Sequence, residues 1–296
     1  MKPRVSCGVS TKPIGYGRKI IRLKTMLKTT LAALLVVATS SAAIAANVGS
    51  TRSYESQLAG ATDTAINFNR ANEWSGIVGG GIGLGPEFIG SEDYEISALP
   101  LFDVEWRGAY FASTQRGVGL NMTRNSGLKA GPRFTYDRGR ESSESTFLSG
   151  LPDVDGSIEI GAFLETLNGP WRFKSDIRKA LGGHDGLVVS LDLALGGRLN
   201  ENANLILGGT THYASKDYMS AYFDSSVAGT GRAIFLSDGG GFSDIGGYAT
   251  LVYNFSDRVF VSGVLRGTLL IGDAADSPIS QSDGQYFFGT IFGYRF

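Results

Sequence analysis

Residues 286–296 alternate without a break and stop on an aromatic side chain. Tyr286, Phe288, Thr290, Phe292, Tyr294 and Phe296 fall on one face of a strand, and Phe287, Gly289, Ile291, Gly293 and Arg295 on the other. A strand this apolar at the end of a chain is an aggregation hazard in water, where its unpaired edge would recruit other strands. A barrel closed in lipid has the opposite requirement, because its outer face must be apolar and carries aromatic side chains at the interfaces. A strand packed in a soluble β-sandwich is the alternative for this segment alone.

The other end of the chain reads as an export signal. Lys24 and Lys28 precede an apolar run from Thr29 to Ala38, and Ala43-Ile-Ala45 supplies a small-x-small cleavage site. The run is about ten residues, too short to cross a bilayer as a helix. Residues 1–45 are therefore expected to be removed, with Met26 as an alternative start. Eight of the 27 basic residues and none of the 28 acidic ones lie in this leader, which leaves 19 against 28, a formal charge of −9. So acidic a chain is a poor partner for nucleic acid. Cys7 also leaves with the leader, so no disulfide framework is available. Glycine at 42 of 296 residues and aromatics at 11% fit a large sheet with many turns.

Two-residue alternation recurs along residues 74–296. On 128–137, Leu128, Ala130, Pro132, Phe134 and Tyr136 oppose Lys129, Gly131, Arg133, Thr135 and Asp137; on 187–196, five aliphatic side chains oppose Val188, Ser190, Asp192, Ala194 and Gly196. Similar patterns run through 156–167, 203–213, 242–255 and 258–271, and no helical periodicity of any length is evident. Short turns at 168–170 and 256–257 alternate with longer polar segments near 139–155, 214–241 and 272–285. That rhythm predicts an all-β, antiparallel up-and-down transmembrane β-barrel with both termini periplasmic. The count is twelve strands if 109–114 and 118–124 stand alone, and ten if each continues a neighbour. Residues 46–73 are polar and weakly patterned, a periplasmic arm or partial plug, with disorder as the alternative.

Several segments in this order resemble the MltA-interacting protein family (MipA/OmpV): Gly83-Leu-Gly85-Pro86-Glu-Phe-Ile-Gly90-Ser, Leu99-Pro100 through Trp106, Gly117-Val-Gly-Leu-Asn121, Gly139-Arg140, Leu151-Pro-Asp-Val-Asp155, Tyr222-Phe223, the run Leu270-Ile-Gly-Asp273-Ala-Ala-Asp276-Ser277-Pro278-Ile279, and Tyr294-Arg-Phe296. The resemblance implies an outer-membrane barrel that is not an enzyme and has no catalytic residues to carry over. It implies a scaffold holding a lytic transglycosylase and a murein synthase, with surface antigen or adhesin as another described role. A C-terminal strand ending in Phe also resembles the signal shown to the barrel assembly machinery, here Tyr286, Phe288, Phe292, Tyr294 and Phe296. Outer-membrane lipid is the remaining expected partner. A small solute channel is the first rival, and an outer-membrane lipid hydrolase the weakest.

Other chemistry is thinly supplied. The string Gly79–Gly85 has no helix after it, as a dinucleotide site would need, so small residues at a crowded strand explain it. Outside the leader the only histidines are His184 and His212, without a recognisable nucleophile partner, and no cysteine remains for a zinc set. No cofactor is expected. Asp273 with Asp276, and Asp153 with Asp155, read as turn-capping carboxylates, with a divalent cation as the alternative. The charges Lys129, Arg133, Asp137, Glu159 and Glu165 share the inward parity of their strands and are expected to pair across a filled lumen, a narrow channel being the rival.

Overall fold

A computed structural model describes residues 74–123, 127–225 and 233–296; the leader and arm expected at 1–73 lie outside these. Twelve antiparallel strands form one closed barrel in sequence order. They are β1 (Trp74–Pro86), β2 (Tyr94–Trp106), β3 (Tyr110–Ser113), β4 (Gly117–Leu120), β5 (Leu128–Asp137), β6 (Ser157–Asn168), β7 (Trp171–Leu181), β8 (Leu187–Arg198), β9 (Ala203–Ala214), β10 (Gly241–Asn254), β11 (Val259–Leu270) and β12 (Gly284–Arg295). The larger strand count is correct because β3 and β4 form a separate short hairpin, turning at Thr114–Arg116 and paired from Tyr110↔Leu120 to Ser113↔Gly117. Among the described residues no helix is long and apolar enough to cross a membrane; this barrel crosses with strands.

Closure joins the last strand to the first, from Ile77↔Arg295 to Leu84↔Phe288. Phe296 extends the seam, its amide donating to the Gly76 carbonyl and its carbonyl accepting from the Gly76 amide. The registers close with a stagger of roughly 16 residues, which for twelve strands corresponds to a tilt of about 40°. Parity follows the alternation: Tyr286, Phe288, Phe292, Tyr294 and Phe296 are exposed on the outer face, whereas Phe287 and Ile291 are buried inside. The outer face elsewhere is equally apolar, with Ile82, Ile160, Leu193, Ile245 and Leu265 exposed. At the end bearing Trp74 and Phe296, Trp106 packs against Trp74 and Tyr110 (6.2 and 5.3 Å between ring centroids) with Arg107 over its ring. Aromatic girdles of this kind mark the edges of an apolar band.

Short connections occur at the end bearing Trp74 and Phe296, and most of the long ones at the other, outer end. Among the described residues the outer loops contain two short α-helices, α1 (Lys216–Phe223) and α2 (Asp273–Asp276), and a 3-10 turn at Thr146–Leu148. α1 is a helical exception among described residues that are otherwise almost all strand and loop. Tyr218, Met219, Tyr222 and Phe223 form its buried stripe, at the i, i+1, i+4, i+5 spacing of one helical face. An eight-residue helix is too short to be held by propensity alone and depends on this packing.

Candidate functional site

The barrel interior divides into an apolar and a charged wall. Ile77, Leu99, Leu101, Val252, Phe260, Val264, Phe287 and Ile291 form one buried cluster on β1, β2, β10, β11 and β12. Gly83 and Gly85 lie where a side chain would strike the Phe287 ring. Elsewhere on the inner face, including the lower part of β2, inward charges meet partners at short distances. Arg116 reaches Asp103 and Glu105 (2.5 and 3.0 Å), and Lys129 reaches Glu105 at 3.5 Å. Arg133 and Arg178 share Asp176 (2.9 and 3.0 Å), and Arg178 also meets Glu159 at 3.3 Å. Lys174 lies 3.7 Å from Glu165. Arg172 lies 3.0 Å from Asp192 and donates to the Tyr248 hydroxyl at 2.6 Å, which in turn donates to Asp192. Lys129, Arg133, Glu159 and Glu165 thus pair, as their parity implies, whereas Asp137 meets His184 and Tyr222. Single mismatches would leave a buried charge uncompensated, so the set is interdependent.

The outer mouth is covered by loops. α1 packs on Val154, Val188, Ala214, Leu270 and Ala274. Beside it, Phe88, Leu148, Leu151 and Ile279 form a second buried cluster. Polar contacts stitch these loops together. Arg140, itself buried, donates to the Tyr222 carbonyl at 2.6 Å, and its backbone pairs with Val154. Ser277 donates to the Phe223 carbonyl at 2.6 Å, and the Asp238 amide donates to Asp273 at 2.9 Å. The Gln285 side chain accepts from the Gly90 amide and donates to the Ser91 carbonyl. Burial lowers the Arg140 pKa, an effect opposed by Tyr222, Glu144, Tyr218 and Asp153 nearby; arginine remains charged regardless.

Many motif residues therefore converge on this cap. Gly90 has φ +93° and passes so close to Ser280 that a Cβ would lie 2.8 Å from its Cα. Gly139 has φ +77°, and a Cβ there would stand 1.8 Å from the Val154 carbonyl oxygen. The carboxylates of α2 do not cap a turn at Ser277: Asp273 ties to the neighbouring loop, Asp276 is exposed, and the Ser277 hydroxyl itself caps the following turn by accepting from the Ile279 amide. Pro278 is half-buried beside it. Asp153 accepts from the Ser142 amide at 2.6 Å, which lowers its pKa. Pro86, Pro100 and Trp106 lie apart from the cap, at the outer end of β1, in mid-β2 and in the girdle.

Under α1 lies a cluster that sequence reasoning missed. The His184 side chain is fully buried, edge-on to Tyr218 and Tyr222 at 5.0 and 5.6 Å. Its Nδ1 accepts from the Gly186 amide at 3.0 Å, so a neutral ring carries its proton on Nε2, which faces Asp137 at 3.4 Å. Asp137 also accepts from the Tyr222 hydroxyl (2.8 Å) and the Gly139 amide (2.9 Å). Asp137, Glu159 and His184 offer ligand atoms within 4.8 Å of one another. A cation would need the Nε2 lone pair while the Gly186 amide holds the Nδ1 lone pair, and a neutral imidazole has only one such pair. Thr135 and Arg178 already engage Glu159. For the same reason neither ring nitrogen is available as a general base. His212 places its Nδ1 2.7 Å from Asp244. The visible signals were Tyr218 and Tyr222 at i, i+4 spacing and Asp137 at a strand end. Nothing local links residues 137, 184 and 222.

Comparison with curated protein sequences finds no match. Among solved structures the chain is similar to the NanC porin (9% identity, TM-score 0.44, covering 75% of this chain and 100% of that one) and the KdgM porin (8%, 0.41, 75% and 99%). It is also similar to the N-terminal β-barrel domain of Pseudomonas aeruginosa OprF (14%, 0.25, 60% and 99%). The family model described as MltA-interacting protein MipA matches residues 78–296. With its ordered motifs, closed barrel and apolar outer band, the chain belongs to the MipA family and is a bacterial outer-membrane β-barrel.

Proposed function

We infer that this barrel is a non-enzymatic binding protein of the outer membrane, a scaffold whose periplasmic end holds murein-processing enzymes, a lytic transglycosylase first among them. The observation that carries the reading is the occupied interior. Apolar packing fills one wall, ion pairs span the other, and two clusters cover the outer mouth. A conducting pore needs a continuous polar path, which this arrangement disfavours. With the lumen committed to stability, binding falls to the surfaces outside the membrane. The family description, an MltA-interacting protein, supports a transglycosylase as the partner.

The test is binding of the purified, folded barrel to a purified lytic transglycosylase from the same envelope, measured by analytical ultracentrifugation. A complex that survives physiological salt supports the scaffold. Absence of association at concentrations well above those in the envelope sinks it. The assembly-signal role of Tyr286, Phe288, Phe292, Tyr294 and Phe296 is part of the same proposal, because their outward aromatic stripe remains available until lipid covers it.

A further inference from the structure

The barrel wall is incomplete on one side. β3 and β4 have four residues each, where the other strands have ten to fourteen. β2 pairs with β3 only from Asp103 to Trp106, although it pairs with β1 along its whole length up to Tyr94. Thr114 at the hairpin tip carries the contact back to Phe102 and Pro100 and no further. β5 pairs with β4 only at Arg133 and Phe134. At 3.3 Å per residue and about 40° of tilt, the missing upper turns lower the wall by about 15 Å. Three strand spacings separate β2 from β5, an opening about 14 Å wide. The apolar band of such barrels is about 25 Å tall, so the gap occupies much of its outer half.

The opening is roofed as well as framed. The loop at 138–156 arches from β5 to the β1–β2 loop, where Phe147 stacks on Phe88 with 6.0 Å between ring centroids. On that arch Glu144 feels the charges of Arg138 and of Glu95 on β2, and burial raises its pKa. The jambs are apolar: Ile96 on β2, and Phe134 and Tyr136 on β5. Ile96 is 74% exposed, more than any other large apolar side chain in a strand, because no neighbouring strand covers its flank. The sill turns its charge away, since the Arg116 guanidinium points inward to Asp103, Glu105 and the Phe111 ring. Beside the opening, Leu99 and Leu101 on the inner face of β2 are buried in the lumen cluster.

We propose that this recess between β2 and β5 seats acyl chains of an outer-leaflet lipopolysaccharide. At this depth water is excluded and a void would forfeit contacts on every side, so the surrounding leaflet supplies the occupant. Pro100 suits such a neighbour, because it brings no N–H to the edge of β2 that faces the gap. A lipid in the recess touches the protein on three sides, whereas one on the convex wall touches it on one, so the seated lipid exchanges more slowly.

The test places p-benzoylphenylalanine at residue 96 or at residue 245, an outward position at similar depth on the complete wall of β10. Folded protein, verified by its heat-dependent gel mobility, is extracted in detergent, washed, irradiated and analysed by mass spectrometry. The expected result is a lipid A adduct at 96 at least tenfold above that at 245. A second variant lengthens the β3–β4 hairpin between Ser113 and Gly117 to fill the gap, and should abolish the excess. Equal adducts at both positions, a phospholipid adduct, or cross-linking to a second copy of the chain would each overturn the proposal.

Discussion

Replacing Arg140 with alanine should open the outer cap without unfolding the barrel. The guanidinium is buried beneath the loops, its Nη1 donates to the Tyr222 carbonyl at 2.6 Å, and its backbone bridges to Val154. A hydrogen bond from a charged donor contributes about 1.5–3 kcal/mol, and its loss leaves a buried carbonyl without that donor. The barrel ladders do not depend on this contact, so the cost falls on the cap. At about 2 kcal/mol, the local opening equilibrium of α1 rises about thirtyfold. Amide hydrogen exchange resolved by residue is the assay: protection at 219–224 should fall by that factor, while β10 and β11 keep theirs. Unchanged α1 protection, or an equal loss throughout the strands, would refute the idea that Arg140 anchors a separable cap.

Three further outcomes follow from named positions. Gly139→Ala forces a side chain into φ +77° and against the Val154 carbonyl, so it should destabilise the 140–154 bridge by about 1–3 kcal/mol, read as increased proteolysis of the 138–156 loop. Asp153 has a pKa held below its ordinary 3.8 by the Ser142 hydrogen bond, so its contribution to loop order is complete above that value and lost as pH falls through the lower folded pKa. Exchange at the Ser142 amide, corrected for intrinsic rates, should accelerate only in that acid window, and in Asp153→Ala the acid step should vanish. Phe296→Asp places a charge near the membrane interface, where the folded-state penalty is only about 0–1 kcal/mol. A large fall in assembled barrel, measured by heat-modifiable mobility in outer-membrane fractions, would therefore report recognition; normal assembly would contradict the signal reading.

Much of the fold was legible because a barrel encodes itself locally. Alternation at 286–296 assigned Phe287 and Ile291 to the lumen and Phe288 and Phe292 to lipid, and the same parity placed Arg133 and Glu159 inside. Strand number was ambiguous because 109–124 supplies turns at both ends of very short strands; only the pairing of Ser113 with Gly117 decides it. The cap was largely illegible. Its parts come from residues 88, 140, 148, 184, 222 and 277, in five separate outer loops, and no periodicity connects loops that meet only after the strands have paired. α1 left a faint trace in its tyrosine spacing, masked by a polar and partly irregular surrounding segment.

The central claim is that the interior is committed to stability and closed to solute flow. Single-channel recording of the purified, folded barrel in planar bilayers tests it directly. The account predicts no stable conductance above the bilayer background for the native chain. A long-lived, ohmic open state in the native protein would contradict it and reinstate the channel.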